Sequence, residues 1–203
     1  MTPRFTHPWC CHRFTSLLSP FLQDLAGKKG CMNEEPTAVV ILCCGSHCPE
    51  QAISTSLESY GVRVIAVSEA DECFRHDAEF VARRILDVVD TLPKGIPVGY
   101  AGAGVAGAGA MIAASQRPAA VSAVVAMNAR TDFAADHLRA LRAPTLLIVN
   151  DMPVLRMNRE AIVLLRGERR LEIVHGDGAE AVEHIVGRCV RWLADRLVGV
   201  AAA

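Results

Sequence analysis

The chain has 203 residues, is 51% hydrophobic, and is almost balanced in charge, with 21 basic and 22 acidic side chains. That composition excludes disorder as the main state and provides no basic surface for nucleic acid. Its 5% aromatic content offers few stacking platforms. The longest apolar run, Val98–Ala114, falls short of the ~20 residues a membrane helix needs.

Residues 1–36 read as a poorly ordered tail, or as an over-extended start with Met32 as the true one; a domain is expected over 37–198. The tail lacks the continuous apolar segment and small-residue cleavage site of a secretory signal. Eight cysteines fall at positions 10, 11, 31, 43, 44, 48, 73 and 189. A chain of this length folds without staples, so they read as reduced thiols in a cytoplasmic protein. Cys43-Cys44-Gly45-Ser46-His47-Cys48 has a metal-like look. Zinc sites usually pair two short clusters far apart, however, and the second cluster here, Cys10-Cys11-His12, lies in the tail. No metal and no cofactor are expected.

Ala38–Cys43 is an unbroken β-branched run and predicts a strand buried on both faces. Gln51–Tyr60 predicts a helix stopped by Gly61. Val62–Val67 predicts a second strand, and Ser68–Phe74 an acidic loop. Ala78–Leu92 places Val81, Ile85, Val88, Val89 and Leu92 at helical spacing. Pro97–Ala101 predicts a strand, Gly102–Gly109 a glycine-rich loop, and Ala110–Ser115 a helix. Strands follow at Val121–Met127, Thr145–Val149 and Leu171–Val174, with helices over Arg159–Leu165 and Glu180–Leu197. Alternation of this kind predicts a single-domain, doubly wound α/β fold on a mostly parallel sheet. Sites in such sheets form beyond the carboxyl ends of the strands.

Gly102-Ala103-Gly104-Val105-Ala106-Gly107 matches a dinucleotide fingerprint between a strand and a helix. No acid follows at the usual distance of about 20 residues, and two strand–helix units precede the loop, where the fingerprint normally opens the unit. The same place in the chain is that of a nucleophile elbow, Gly-x-Ser-x-Gly. Around it, Ile96-Pro97-Val98-Gly99-Tyr100, Gln116-Arg117-Pro118, Arg130-Thr131-Asp132-Phe133, Ala143-Pro144-Thr145-Leu146-Leu147-Ile148-Val149, Arg170-Leu171-Glu172-Ile173-Val174 and Arg191-Trp192-Leu193 follow in order. In these segments the chain resembles the dienelactone-hydrolase-like branch of the α/β-hydrolase family, from about Thr37 to Leu197. The resemblance implies a reduced α/β-hydrolase fold without a lid.

It also implies three catalytic slots, and this chain departs from them. The nucleophile slot falls on Gly104 and the histidine slot on Ala179; only the acid slot, Asp151, keeps its residue type. The turn that helps form the family's oxyanion hole reads Cys44-Gly45-Ser46-His47. Glycine supplies neither hydroxyl nor thiol, so the expectation is a catalytically impaired homologue that binds a small molecule or a protein partner. Cys44, Gly45, Gly104 and Val105 are the expected binding residues, through backbone N–H groups at a helix N-terminus. The enzymatic alternative is a hydrolase of small esters or lactones that uses Cys44, Cys48 or Ser46 with His47 or His175. Dinucleotide binding through Gly102–Gly107 is the third reading. His76 and His137 read as members of polar surface stretches.

Overall fold

In the computed structural model, residues 36–44, 48–68, 76–176 and 178–201 are described; the expected tail and most of the acidic loop lie outside them. The described residues from Pro36 onward fall in one compact unit. Six strands form one parallel sheet: β1 (Ala38–Cys44), β2 (Val62–Ser68), β3 (Val98–Ala103), β4 (Ala123–Met127), β5 (Thr145–Val149) and β6 (Arg169–Ile173). Their order is β2-β1-β3-β4-β5-β6. Five helices connect or follow them: α1 (Glu50–Glu58), α2 (Ala78–Thr91), α3 (Gly104–Gln116), α4 (Met152–Ile162) and α5 (Ala179–Ala201).

The central strands lack polar alternation because both of their faces are dry. Ile41 and Cys43 of β1 join Tyr100, Val124 and Leu147 in a core under α2 and α3. Val40 and Leu42 point the other way, into a second core with Ala101, Val125, Leu146 and Ile148 under α1 and α5. The two layers explain why continuous apolar runs read correctly as strands.

The chain runs outward from β1 to β2, then crosses back over β1 to β3. The winding therefore reverses between β1 and β3, whose carboxyl ends lie side by side with Cys43 opposite Gly102. A crevice opens at such a reversal. No helix among the described residues is long and apolar enough to cross a membrane.

Two expectations need correction. The glycine-rich segment is not a loop: β3 runs on to Ala103, and α3 starts at Gly104 rather than Ala110. Its glycines serve close packing; a Cβ on Gly109 would stand 2.6 Å from the Val81 side chain on α2. The helix expected over Arg159–Leu165 is α4, seven residues earlier, with Pro153 in its first turn and Val154, Leu155, Asn158 and Ala161 buried. Proline fits that first turn because its missing N–H would have no helical partner there.

Candidate active site

β3 ends at Ala103 in extended conformation, and Gly104 turns into α3 with φ +59°. This left-handed value is where an L side chain is strained. The turn is tight because backbone meets backbone: a Cβ on Gly102 would lie 2.6 Å from the Ala106 carbonyl oxygen, and one on Gly107 3.0 Å from that of Gly102. Those contacts account for the glycine spacing that also resembles a dinucleotide fingerprint. At Gly104 nothing lies within 4 Å of an added Cβ. Conformation, not crowding, favours glycine there, and the space a nucleophile would fill is open. The first N–H groups of α3, at Gly104 and Val105, have no partner within the helix and sit at its positive end. The Arg130 N–H donates to the Gly104 carbonyl at 3.0 Å and fixes the turn to the loop after β4.

Asp151, the acid slot, is exposed and stands at the N-cap of α4, where its side chain makes no capping bond. Its loop is held by an asparagine network. Asn128 Oδ1 accepts from the Asn150 N–H at 2.9 Å and the Asp151 N–H at 3.1 Å. Asn128 Nδ2 donates to Asn150 Oδ1 at 2.5 Å, and Asn150 Nδ2 donates to the Gly176 carbonyl at 3.4 Å. Asn128 has φ +44°, a conformation asparagine tolerates better than most residues. Below it, the fully buried Asn158 of α4 donates to the carbonyls of Ala129 at 2.8 Å and Val154 at 2.9 Å. The loops after β4, β5 and β6 are thus tied together at the rim where an acid and a base belong.

The expected histidine slot falls at the start of α5. Ala179 opens α5 and is exposed. His175 is exposed and has no hydrogen-bond partner among the described residues. His184 lies exposed along α5. Gly45, Ser46 and His47 lie outside the described residues, and of Cys44 only its place at the end of β1 is described. Cys48 is disulfide-bonded. That corrects the expectation of a reduced thiol and removes Cys48 as a thiolate nucleophile. Cys43 is fully buried, and burial, with Glu50 nearby, pushes its thiol up to about 12, so it stays protonated and inert. No group of three or more His, Cys, Asp or Glu suited to a metal occurs among the described residues.

Sequence reading missed the network of Asn128, Asn150 and Asn158. The available signal was an asparagine directly after a strand end, a position that often needs positive φ.

A parallel doubly wound sheet with a sharp strand-to-helix turn at its winding reversal is found in α/β hydrolases and in other doubly wound folds; similarity to solved structures singles out the former. No protein-family model matches the chain. In structure it is similar to a dienelactone hydrolase from Anabaena variabilis, at 28% identity and TM-score 0.72, covering 81% of this chain and 88% of that one. It shares the fold of Est1E from Butyrivibrio proteoclasticus, at 14% identity, TM-score 0.68, and coverage of 82% and 90%. In sequence it is 34% identical over 135 residues to a Mycobacterium tuberculosis protein described as "Putative phosphoribosyl transferase". That match covers 61% of this chain and 30% of the relative, so the chain spans less than a third of the relative's length. The chain has an α/β-hydrolase-like fold and is similar in structure to a dienelactone hydrolase.

Proposed function

We propose that the crevice at the carboxyl ends of β1 and β3 has lost covalent hydrolysis and binds a small carboxylate, phosphate or lactone without cleaving it. The observation that carries this reading is Gly104: the elbow keeps its strained φ and its open space but has no side chain to attack a carbonyl. Acyl transfer on this fold needs a hydroxyl or thiol at that point, with an imidazole in reach. Losing such a nucleophile typically costs on the order of 10⁶ in kcat, more than Asp151 alone can offset. What remains is suited to binding. The α3 N-terminus offers N–H groups to an oxygen, and the asparagine network holds the surrounding loops in place. The name carried by the mycobacterial relative concerns a protein of which this chain spans 30%, so phosphoribosyl transfer is not proposed for it.

The test is to measure p-nitrophenyl acetate turnover beside thermal melting in the presence of acetate, phosphate and γ-butyrolactone. The expected result is a ligand-dependent rise in melting temperature and no multiple turnover through the crevice. Steady hydrolysis with the acyl group found on Cys44 or Ser46 would reinstate a displaced nucleophile, served by His47 or His175. No thermal response to any of the three ligands would remove the binding reading.

A further inference from the structure

Away from the crevice, three side chains on three different elements form a hydrogen-bonded chain. Ser115 Oγ, in the last turn of α3, lies 3.2 Å from His137 Nδ1. His137 Nε2 lies 2.9 Å from Glu79 Oε1, in the first turn of α2. We propose that Ser115, His137 and Glu79 form a second nucleophilic centre, which accepts the acyl group of small activated esters at Ser115 Oγ.

The geometry follows from the packing. Gly109 has no side chain, so α2 comes close enough to α3 for a Cβ there to stand 2.6 Å from Val81. That approach lets Glu79 and Ser115 share one imidazole. His137 is held between them by its own backbone: its N–H donates to the Ala134 carbonyl at 2.9 Å, its carbonyl accepts from the Ala140 N–H at 3.0 Å, and the adjacent Leu138 is buried. Ser115 is half-buried, and the His137 side chain is 28% exposed and that of Glu79 45%, so the group borders solvent.

A carboxylate only accepts hydrogen bonds, so Nε2 carries the hydrogen that faces Glu79. That leaves the Nδ1 lone pair towards Ser115 Oγ. The two ring nitrogens thus exchange the roles they have in the usual serine triad. The Ser115 hydroxyl has a second acceptor, the Ile112 carbonyl at 2.7 Å. Attack requires it to rotate from that carbonyl to Nδ1.

In the step itself, Oγ bonds to the ester carbonyl carbon and its proton passes to Nδ1. The carbon–oxygen bond to the leaving phenolate breaks with its electron pair, and the imidazolium returns the proton to that oxygen. Water then repeats the sequence on the acyl-serine, releasing a carboxylic acid and restoring the hydroxyl. The negative end of the α3 dipole opposes the developing oxyanion. The centre is therefore slow and limited to esters with good leaving groups.

Full-length protein is treated with p-nitrophenyl acetate, and the acetyl group is located by peptide mass spectrometry. We expect acetyl on Ser115, none there in Ser115→Ala, and retained acylation in Ser115→Cys. His137→Gln, which keeps a hydrogen-bonding side chain but takes no proton, should slow acylation by about 10²-fold, as for loss of a general base. Wild-type mapping and His137→Gln decide the matter if Ser115→Ala does not fold. Absence of acetyl on Ser115 overturns the proposal, as does acetyl on Cys44 or Ser46 alone, or an unchanged rate in His137→Gln. Ligand binding at the crevice is read separately by melting, so either proposal can fail without the other.

Discussion

The two ends of α3 separate what an active hydrolase keeps in one place. At its N-terminus, Gly104 retains the strained turn, the open space and the helix dipole, but no side chain. About 16 Å down the same helix, at 1.5 Å per residue, Ser115 has a hydroxyl, an imidazole and a carboxylate in line, but faces the unfavourable end of the dipole. Backbone geometry without a nucleophile is suited to holding a ligand. A nucleophile at the negative end of a helix dipole is suited only to activated partners. The contrast shows that fold and chemistry are carried by different atoms: the turn at Gly104 is shaped by backbone contacts and needs no side chain of its own.

The largest expected effect comes from breaking the backbone contacts themselves. Gly102→Ala pushes a methyl carbon to 2.6 Å from the Ala106 carbonyl oxygen, where neither chain segment has a flexible end to yield. The expected loss is about 3 kcal/mol, the upper end of ordinary overpacking, read by urea unfolding. A loss below about 1 kcal/mol would show that the elbow is not a tight turn. Next comes the asparagine rim. Asn128→Gly removes the oxygen that accepts from the Asn150 and Asp151 N–H groups, at a cost of about 2 kcal/mol. Asn128→Ala loses the same bonds and adds about 1 kcal/mol for a left-handed alanine. The difference between the two variants isolates backbone from hydrogen bonding. Equal stabilities would mean that φ at position 128 relaxes freely.

These residues also mark where sequence reading stopped. The sheet was legible because β1, β3, β4 and β5 are dry on both sides and their apolar runs are unbroken. The place of Gly104 at the strand-to-helix turn was legible because ordered matches on either side fix which residue occupies it. The start of α3 was not, because glycines that allow close packing look the same in sequence as glycines that form a loop. The asparagine rim and the Ser115–His137–Glu79 chain were not legible either. Their side-chain pairs are 22 to 58 positions apart, and only the crossovers bring them together. In the sequence alone His137 reads as a surface residue, since nothing local to it announces Glu79 on another helix.

A smaller effect tests the elbow from the other side. Gly104→Ser meets no atom within 4 Å, so its cost is conformational, about 1 kcal/mol for a side chain at φ +59°. Melting should fall modestly and reversibly. The double variant Gly104→Ser, Ala179→His restores both missing side chains at the family's slots beside Asp151. Its expected behaviour is esterase turnover above wild type that persists when Ser115 is replaced by alanine. Without that gain, the rim no longer places acid, base and nucleophile within reach of one another, and the crevice is a binding site of changed shape.

The smallest effect concerns the loop that fixes the elbow from beside it. Arg130 donates to Asp132 through Nε at 3.0 Å and a terminal nitrogen at 2.7 Å, and its guanidinium lies 4.9 Å from the centre of the Phe133 ring. The hydrogen bond and charge of Arg130 hold the Asp132 carboxyl below its ordinary value of 3.8. A lowered carboxylate contributes stability that is present above the ordinary value and is lost as pH falls through the lowered one. Arg130→Ala should therefore raise the Asp132 midpoint towards 3.8, seen by NMR titration, and remove that contribution at neutral pH. Both side chains are over two-fifths exposed, so solvent and salt screen most of the pair's energy. The Arg130 N–H to the Gly104 carbonyl is a backbone bond that alanine keeps. Ligand-dependent melting should thus survive Arg130→Ala. Its loss would move the anion-binding role from the helix N-terminus to the Arg130 guanidinium.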